Sequence, residues 1–227
     1  MARTKSRFRK RSTLTKKQKS EVKKIAQKTI DTNTEDKRVV YLLENQQLFH
    51  NKPVYIGKFL SDIIQGPNTG DLGVKKTCRI GDKIKLKNIN FRFWLSNKLD
   101  RPNVMYKGVL FFYPVDLGAA ITDADVYMTA QNKMLDRYNF KRIKIIDTFI
   151  VKSTNNYAVD ANNHEHSYLA TLNKSYKNKY IQYETNGVKA KGWEIGFSLV
   201  CYDAFGTLQT DNIASYAINT QLTFEDA

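Results

Sequence analysis

Apolar residues recur at every second position in the C-terminal third of this chain, and no other feature restricts the fold as strongly. Trp193, Ile195, Phe197, Leu199 and Cys201 alternate with Glu194, Gly196, Ser198 and Val200, while Tyr216, Ile218, Leu222 and Phe224 alternate with Ala217, Asn219, Gln221 and Thr223. A period of two puts alternate side chains on opposite faces of an extended backbone, so both segments read as half-buried strands. Between Lys83 and Leu95 the phase changes. Ile84 and Leu86 are apolar at even positions, then Ile89, Phe91, Phe93 and Leu95 at odd ones. A one-residue slip near Lys87-Asn88 predicts a bulge or bend that keeps both halves facing one core.

Lys37–Leu43 is a further strand candidate, rich in β-formers, and residues 107–113 and 141–152 follow. Weaker strands are expected near 166–172 and 178–184. Eight strands with few helical stretches between them predict an all-β sandwich or barrel. The connections 50–80, 114–139 and 153–165 are long for such a fold and mark functional loops. Ala124–Tyr138 is a candidate for a short helix within one of them.

Charge divides the chain differently. Of 37 Lys+Arg and 22 Asp+Glu, residues 1–28 hold twelve basic side chains and one acid, Glu21. The basic ones are Arg3, Lys5, Arg7, Arg9, Lys10, Arg11, Lys16, Lys17, Lys19, Lys23, Lys24 and Lys28. That segment carries +11 of the total +15, leaving +4 on the other 199 residues. Residues 1–13 have too little apolar surface to offset ordering entropy and are expected to be disordered until an anion binds. Thr15-Lys-Lys-Gln18 fits a capping box, and Val22, Ile25, Ala26 and Ile30 recur at helical spacing. A short basic helix over about 17–30 follows, with one thin apolar stripe suited to docking on a partner. The expected division is residues 1–30 as a basic arm and 31–227 as the β-domain.

A flexible polycation neutralises phosphates and releases counterions, so the twelve arm residues are the candidate nucleic-acid contacts. The same charges could serve nuclear import. Other constellations are thinner. His164-Glu165-His166 offers two imidazoles where a metal site needs three or four ligands. Asp116, Asp123, Asp125 and Asp136 fall in one predicted loop region and could hold Ca²⁺ at a subunit contact, although their spacing matches no EF-hand. Gly70, Gly73 and Gly81 form no P-loop, and no serine or cysteine triad is discernible, so no enzyme is expected. Cys78 and Cys201 form neither a disulfide framework nor a zinc pattern. The Val109–Tyr113 apolar run is far shorter than the roughly 18 residues of a membrane-spanning helix, and no membrane partner is expected.

Aromatic and basic residues interleave at Phe91-Arg-Phe-Trp94 and Tyr176-Lys-Asn-Lys-Tyr180. On a cellular single-stranded nucleic-acid-binding β-barrel such a face stacks bases, which is the alternative reading. Phe91 and Phe93, however, share the apolar phase of Ile89 and Leu95 and are expected in the core.

The order of basic arm, short helix and eight strands, with Lys37-Arg38-Val39, Asp62-Ile-Ile-Gln-Gly66, Arg79-Ile-Gly-Asp82, Asp136-Arg-Tyr-Asn139 and Lys144-Ile-Ile-Asp147-Thr, resembles the single-jelly-roll capsid proteins of very small viruses. These include the satellite tobacco necrosis virus coat protein and the capsids of small circular single-stranded DNA viruses. The resemblance spans roughly residues 15–225. It implies an eight-stranded antiparallel jelly-roll sandwich and a T=1 icosahedral shell of sixty copies. The arm would face inward on viral single-stranded DNA or RNA, placing the protein in the virion and, through the arm, in the host nucleus. No cofactor is implied: this chain is longer than the satellite coat protein, and the calcium positions of that protein do not carry over.

Overall fold

A computed structural model describes residues 14–33, 36–66, 77–117, 121–129, 131–152, 167–204 and 208–227, except the side chains of 27, 28 and 30–33. The chain separates into two units, Met1–Glu35 and Asp36–Ala227. The first holds helix α1, Lys16–Asn33. Its start is the predicted capping box: the Gln18 N–H donates to Thr15 Oγ1 at 3.3 Å and the Thr15 N–H donates to Gln18 Oε1 at 3.0 Å.

The second unit contains β1 (Lys37–Phe49), β2 (Val54–Ile56), β3 (Lys83–Asn97), β4 (Val104–Pro114), β5 (Lys144–Lys152), β6 (Ser167–Gln182), β7 (Trp193–Asp203) and β8 (Asn212–Asp226). A one-turn helix α2, Asp123–Val126, lies between β4 and β5. Two antiparallel four-stranded sheets form, ordered β1-β8-β3-β6 and β2-β7-β4-β5. The strands pair as first with last, second with seventh, third with sixth and fourth with fifth. That nesting is a long hairpin rolled over itself, the eight-stranded jelly roll, and the sheets are open at their edges rather than closed into a barrel.

Register confirms the phase slip. In both pairings of β3 the ladder is interrupted between Leu86 and Asn88: against β8 Lys87 is the extra residue, and against β6 it faces three residues, Tyr176, Lys177 and Asn178. The bulge lets Leu86 and Ile89 both be fully buried although they differ in parity. The strands flanking β3 differ from expectation in two respects. The strands expected near 166–172 and 178–184 are one continuous β6, Ser167–Gln182, because the chain bulges at 176–178 and rejoins β3 at Lys179 instead of turning away. The three-residue β2 has too few positions to show alternation and was not expected.

The core between the sheets is aromatic at its centre. Phe91 and Phe93 of β3 reach Phe197 of β7 with ring centroids 5.9 and 5.4 Å apart, and Phe59 closes the group at 4.8 Å from Phe91. These edge-to-face contacts tie one sheet to the other. A second cluster, Val109, Phe111, Tyr113, Val126, Tyr127 and Ile143, sits on the far side of β4. The connection from β4 to β5 folds back over that sheet and covers it. This corrects the half-buried reading of β7, in which Glu194, Gly196, Ser198 and Val200 are buried as well as their neighbours. It also corrects the helix expected at Ala124–Tyr138, where only Asp123–Val126 is helical and the rest follows the contour of the sheet in turns.

Single buried ions fasten these connections. The Lys107 ammonium donates to the carbonyls of Lys133, Met134 and Asp136 at 2.9, 3.3 and 2.7 Å and lies over the Tyr138 ring at 4.6 Å. Burial pushes its pKa down. Glu194 accepts from the Leu60 and Ser61 N–H groups at 2.6 and 3.2 Å and from Ser61 Oγ at 2.6 Å, holding the segment after β2 against β7. The Arg79 guanidinium stacks 4.1 Å from the Tyr183 ring centroid and donates to the Gly81 and Gly187 carbonyls. Backbone carbonyls and N–H groups in a buried loop need partners, and each ion supplies several at once.

Candidate nucleic-acid interface

Helix α1 arranges its lysines by geometry alone. At 100° per residue, Lys16, Lys19, Lys23 and Lys24 gather with Ser20 on one side, where they line a shallow surface groove. Val22 and Ile25 lie on the other and are 53 and 66% exposed. Lys17 is also exposed. The sequence-predicted contacts Lys16, Lys17, Lys19, Lys23 and Lys24 therefore share one exposed helix. Lys28 lies in α1, but its side chain is outside the described residues. Arg3, Lys5, Arg7, Arg9, Lys10 and Arg11, with the expected disorder of 1–13, also lie outside them.

A second basic region was missed by the sequence reading. The four strands of the β1-β8-β3-β6 sheet carry nine basic side chains and three acidic ones, a net +6. The strands of the other sheet balance at zero, with three basic against three acidic side chains. The residues that make up the +6 come from positions 37 to 226, so no window of sequence reveals it. Glu225, between Lys85 at 3.6 Å and Lys87 at 2.5 Å, neutralises part of it.

Within the chain, the candidate Ca²⁺ ligands do not form one group among the described residues. Asp123 accepts from Lys133 Nζ at 2.9 Å and Tyr55 OH at 2.7 Å, and Asp125 caps its own helix through Thr122 N and Oγ1 at 3.0 and 2.7 Å. Asp136 accepts from the Thr129 and Arg137 N–H groups at 2.9 and 2.8 Å. These three carboxylates are occupied by their own turns or ion pairs, the fourth, Asp116, lies in the turn Val115–Leu117, and among the described residues no three His, Cys, Asp or Glu side chains form a metal-sized group. His164, Glu165 and His166 fall outside the described residues.

Nor is a nucleophile assembled with a base among the described residues. Burial pushes the Cys201 thiol far up, and its Sγ donates to the Phe49 carbonyl. His50 is buried beside it against Tyr202, ring centroids 4.5 Å apart, and its Nδ1 accepts from the Asp203 N–H at 3.1 Å. That acceptor role requires a neutral imidazole. Desolvation, opposed by Asp203 and Asp211, holds its pKa below the ordinary 6.5.

The unfolded chain then binds more protons than the native one below about pH 6.5, so this site adds stability above that pH and loses it on acidification. We expect the thermal midpoint to fall between pH 7.5 and pH 5, and His50→Gln, which keeps an acceptor without titrating, to lessen that fall. Calorimetry of both proteins at the two pH values checks this. An unchanged pH dependence in the variant removes His50 from the account.

The aromatic segments divide as their phase predicts. Phe91 and Phe93 are core, whereas Arg92 and Trp94 point out of the β1-β8-β3-β6 sheet. Tyr176 packs on Phe112 at 6.4 Å, and Tyr180 is exposed beneath the Lys83 ammonium.

No family model matches the chain, and no curated protein matches it. Among solved structures, the chain is similar to the empty head of turnip yellow mosaic virus at 7% identity, over 99% of this chain and 90% of that one, with a TM-score of 0.33. It is also similar to the 60-mer BFDV capsid protein at 11% identity, over 85% and 92% of the two chains, with a TM-score of 0.36.

Proposed function

We propose that this chain is the coat protein of a small icosahedral virus. The β-domain self-associates into a closed shell of about sixty copies, and residues 1–30 hold a single-stranded genome inside it. The observation that carries the reading is the joining of a segment with net +11 to a jelly-roll body with net +4. A body so nearly balanced can pack against its own copies without large self-repulsion, while the arm supplies what a polyanion requires. The fold by itself serves lectins and cupins too, so the weight rests on the charge.

A cellular barrel that stacks bases on the segments Phe91–Trp94 and Tyr176–Tyr180 is the poorer reading, since Phe91 and Phe93 are in the core, Tyr176 packs on Phe112 and the sheets do not close. Size-exclusion chromatography and electron microscopy of the expressed protein test the proposal. Sixty chains of 26.2 kDa make particles of about 1.6 MDa. A monomer or small oligomer under all assembly conditions would defeat the shell.

A further inference from the structure

We infer that the outer face of the β1-β8-β3-β6 sheet is a second nucleic-acid site, one that holds the bases of a single strand where the arm holds phosphates. This rests on the coat-protein reading above and extends it from charge neutralisation to base contact.

The face is built in rows by the strand register. Val40, Gln221, Asn90 and Asn173 lie side by side across the four strands, followed by Leu42, Asn219, Arg92 and Thr171, and then by Ala217, Trp94 and Leu169 on three of them. Asn88, one row earlier, completes a shallow groove of about 590 Å³ whose lining is Val40, Asn88, Asn90, Arg92, Asn173, Asn219 and Gln221. Five of those seven side chains are carboxamides. Asparagine is depleted in strands, where a solvated face ordinarily takes threonine or charged residues, so four asparagines on neighbouring strands run against local preference.

Their hydrogen bonding leaves capacity unspent. Asn88 Nδ2 reaches Asn173 Oδ1 and Ser175 Oγ, both at 3.0 Å, and Gln221 Nε2 reaches Thr223 Oγ1 at 3.3 Å. Among the described residues Asn90, Arg92 and Asn219 make no side-chain hydrogen bond. A carboxamide presents a donor and an acceptor in one plane, the pattern of a base edge. Trp94, 57% exposed and two residues from Arg92, adds a flat stacking surface beside the amides.

Charge selects the occupant. Within these four strands the carboxylates are Glu44, Glu225 and Asp226; Glu225 is paired with Lys85 and Lys87, and Asp226 with Lys37. Lys37 is buried and Lys179 lies over Phe112 of the other sheet, so the charge of this face comes from Arg38, Lys83, Lys85, Lys87 and Arg92 against Glu44 and Glu225, a positive balance that suits a polyanion and opposes the packing of this face on the same face of a second copy. The chain also enters this sheet directly from the arm, at β1.

Ultraviolet cross-linking of the full-length protein with its co-purifying nucleic acid tests the site. The expected result is a nucleotide adduct on the Phe93–Lys98 tryptic peptide, reduced about tenfold in the charge-neutral variant Asn90→Thr/Asn219→Thr. In parallel, Trp193→Phe leaves Trp94 as the single tryptophan of the two in the chain. Its emission is expected to be quenched by an added single-stranded oligonucleotide and not by inorganic polyphosphate, which satisfies the arm but has no bases. Adducts confined to residues 1–33, or equal quenching by both polymers, overturn the base site and leave the arm reading intact. Protection of Trp94 without any adduct indicates a protein on this face and overturns it as well. Absence of nucleic acid from the purified protein, with no binding of either polymer, overturns both readings.

Discussion

Deleting residues 1–28 is expected to empty the particle. The truncated protein loses twelve basic side chains and one acid, and its preparations should show an absorbance ratio near that of pure protein instead of a nucleoprotein. In a shell of about sixty copies the arms contribute roughly 660 positive charges, enough to offset several hundred phosphates. The body keeps its +4 and every strand, since β1 begins at Lys37, so its circular dichroism should remain that of a β-protein. Binding by the intact chain should weaken steeply with salt, because each neutralised phosphate releases condensed counterions. Packaging that survives the deletion at physiological salt would show that the arm is not what holds the genome.

Lys107→Met is expected to be the most damaging single change to the body. The substitution preserves the apolar stem but removes the ammonium that three carbonyls share, at Lys133, Met134 and Asp136. Those carbonyls are left under a layer of Tyr127 and Tyr138 with no donor to replace it. Hydrogen bonds to a charged group contribute about 1.5–3 kcal/mol each, offset by the relief of burying the charge, so the net loss should be about 3 kcal/mol. For a chain of this size that lowers the thermal midpoint by roughly 6–12 °C. Hydrogen exchange should locate the effect: amides of 131–143 lose protection first, with those of β3 and β8 following only on global unfolding. A uniform loss across both sheets would mean that Lys107 fastens no particular segment.

The contrast between these two experiments follows from what each feature depends on. The arm is a property of composition along 28 residues, and the capping box at Thr15 and the bulge at Lys87 are set by neighbours within four positions. All three are legible in a linear reading because the interactions behind them are local. The strands themselves were legible where alternation ran for seven or more residues, as in β3, β7 and β8. They were misjudged where burial came from both sides. Glu194, Ser198 and Val200 occupy the positions that alternation assigns to solvent; the segment after β2 covers Glu194, and the folded-back connection from β4 to β5 covers the other two. β2 was invisible for want of length, and β6 was divided in two because its exposed middle, Lys174–Lys179, has no apolar rhythm.

What the sequence by itself determined was the class of the fold, an all-β sandwich, and the separation of a polycation from a nearly neutral body. Both follow from side-chain period and charge, which need no knowledge of what lies beside what. Only the tertiary structure decided that the basic residues of β1, β3 and β6 share one sheet, that Asn88, Asn90, Asn173 and Asn219 form one surface, and that Lys107 and Glu194 reach the loops they hold. Those neighbours come from strands up to 189 residues apart, as Lys37 and Asp226 do, and only rolling the long hairpin on itself brings them together.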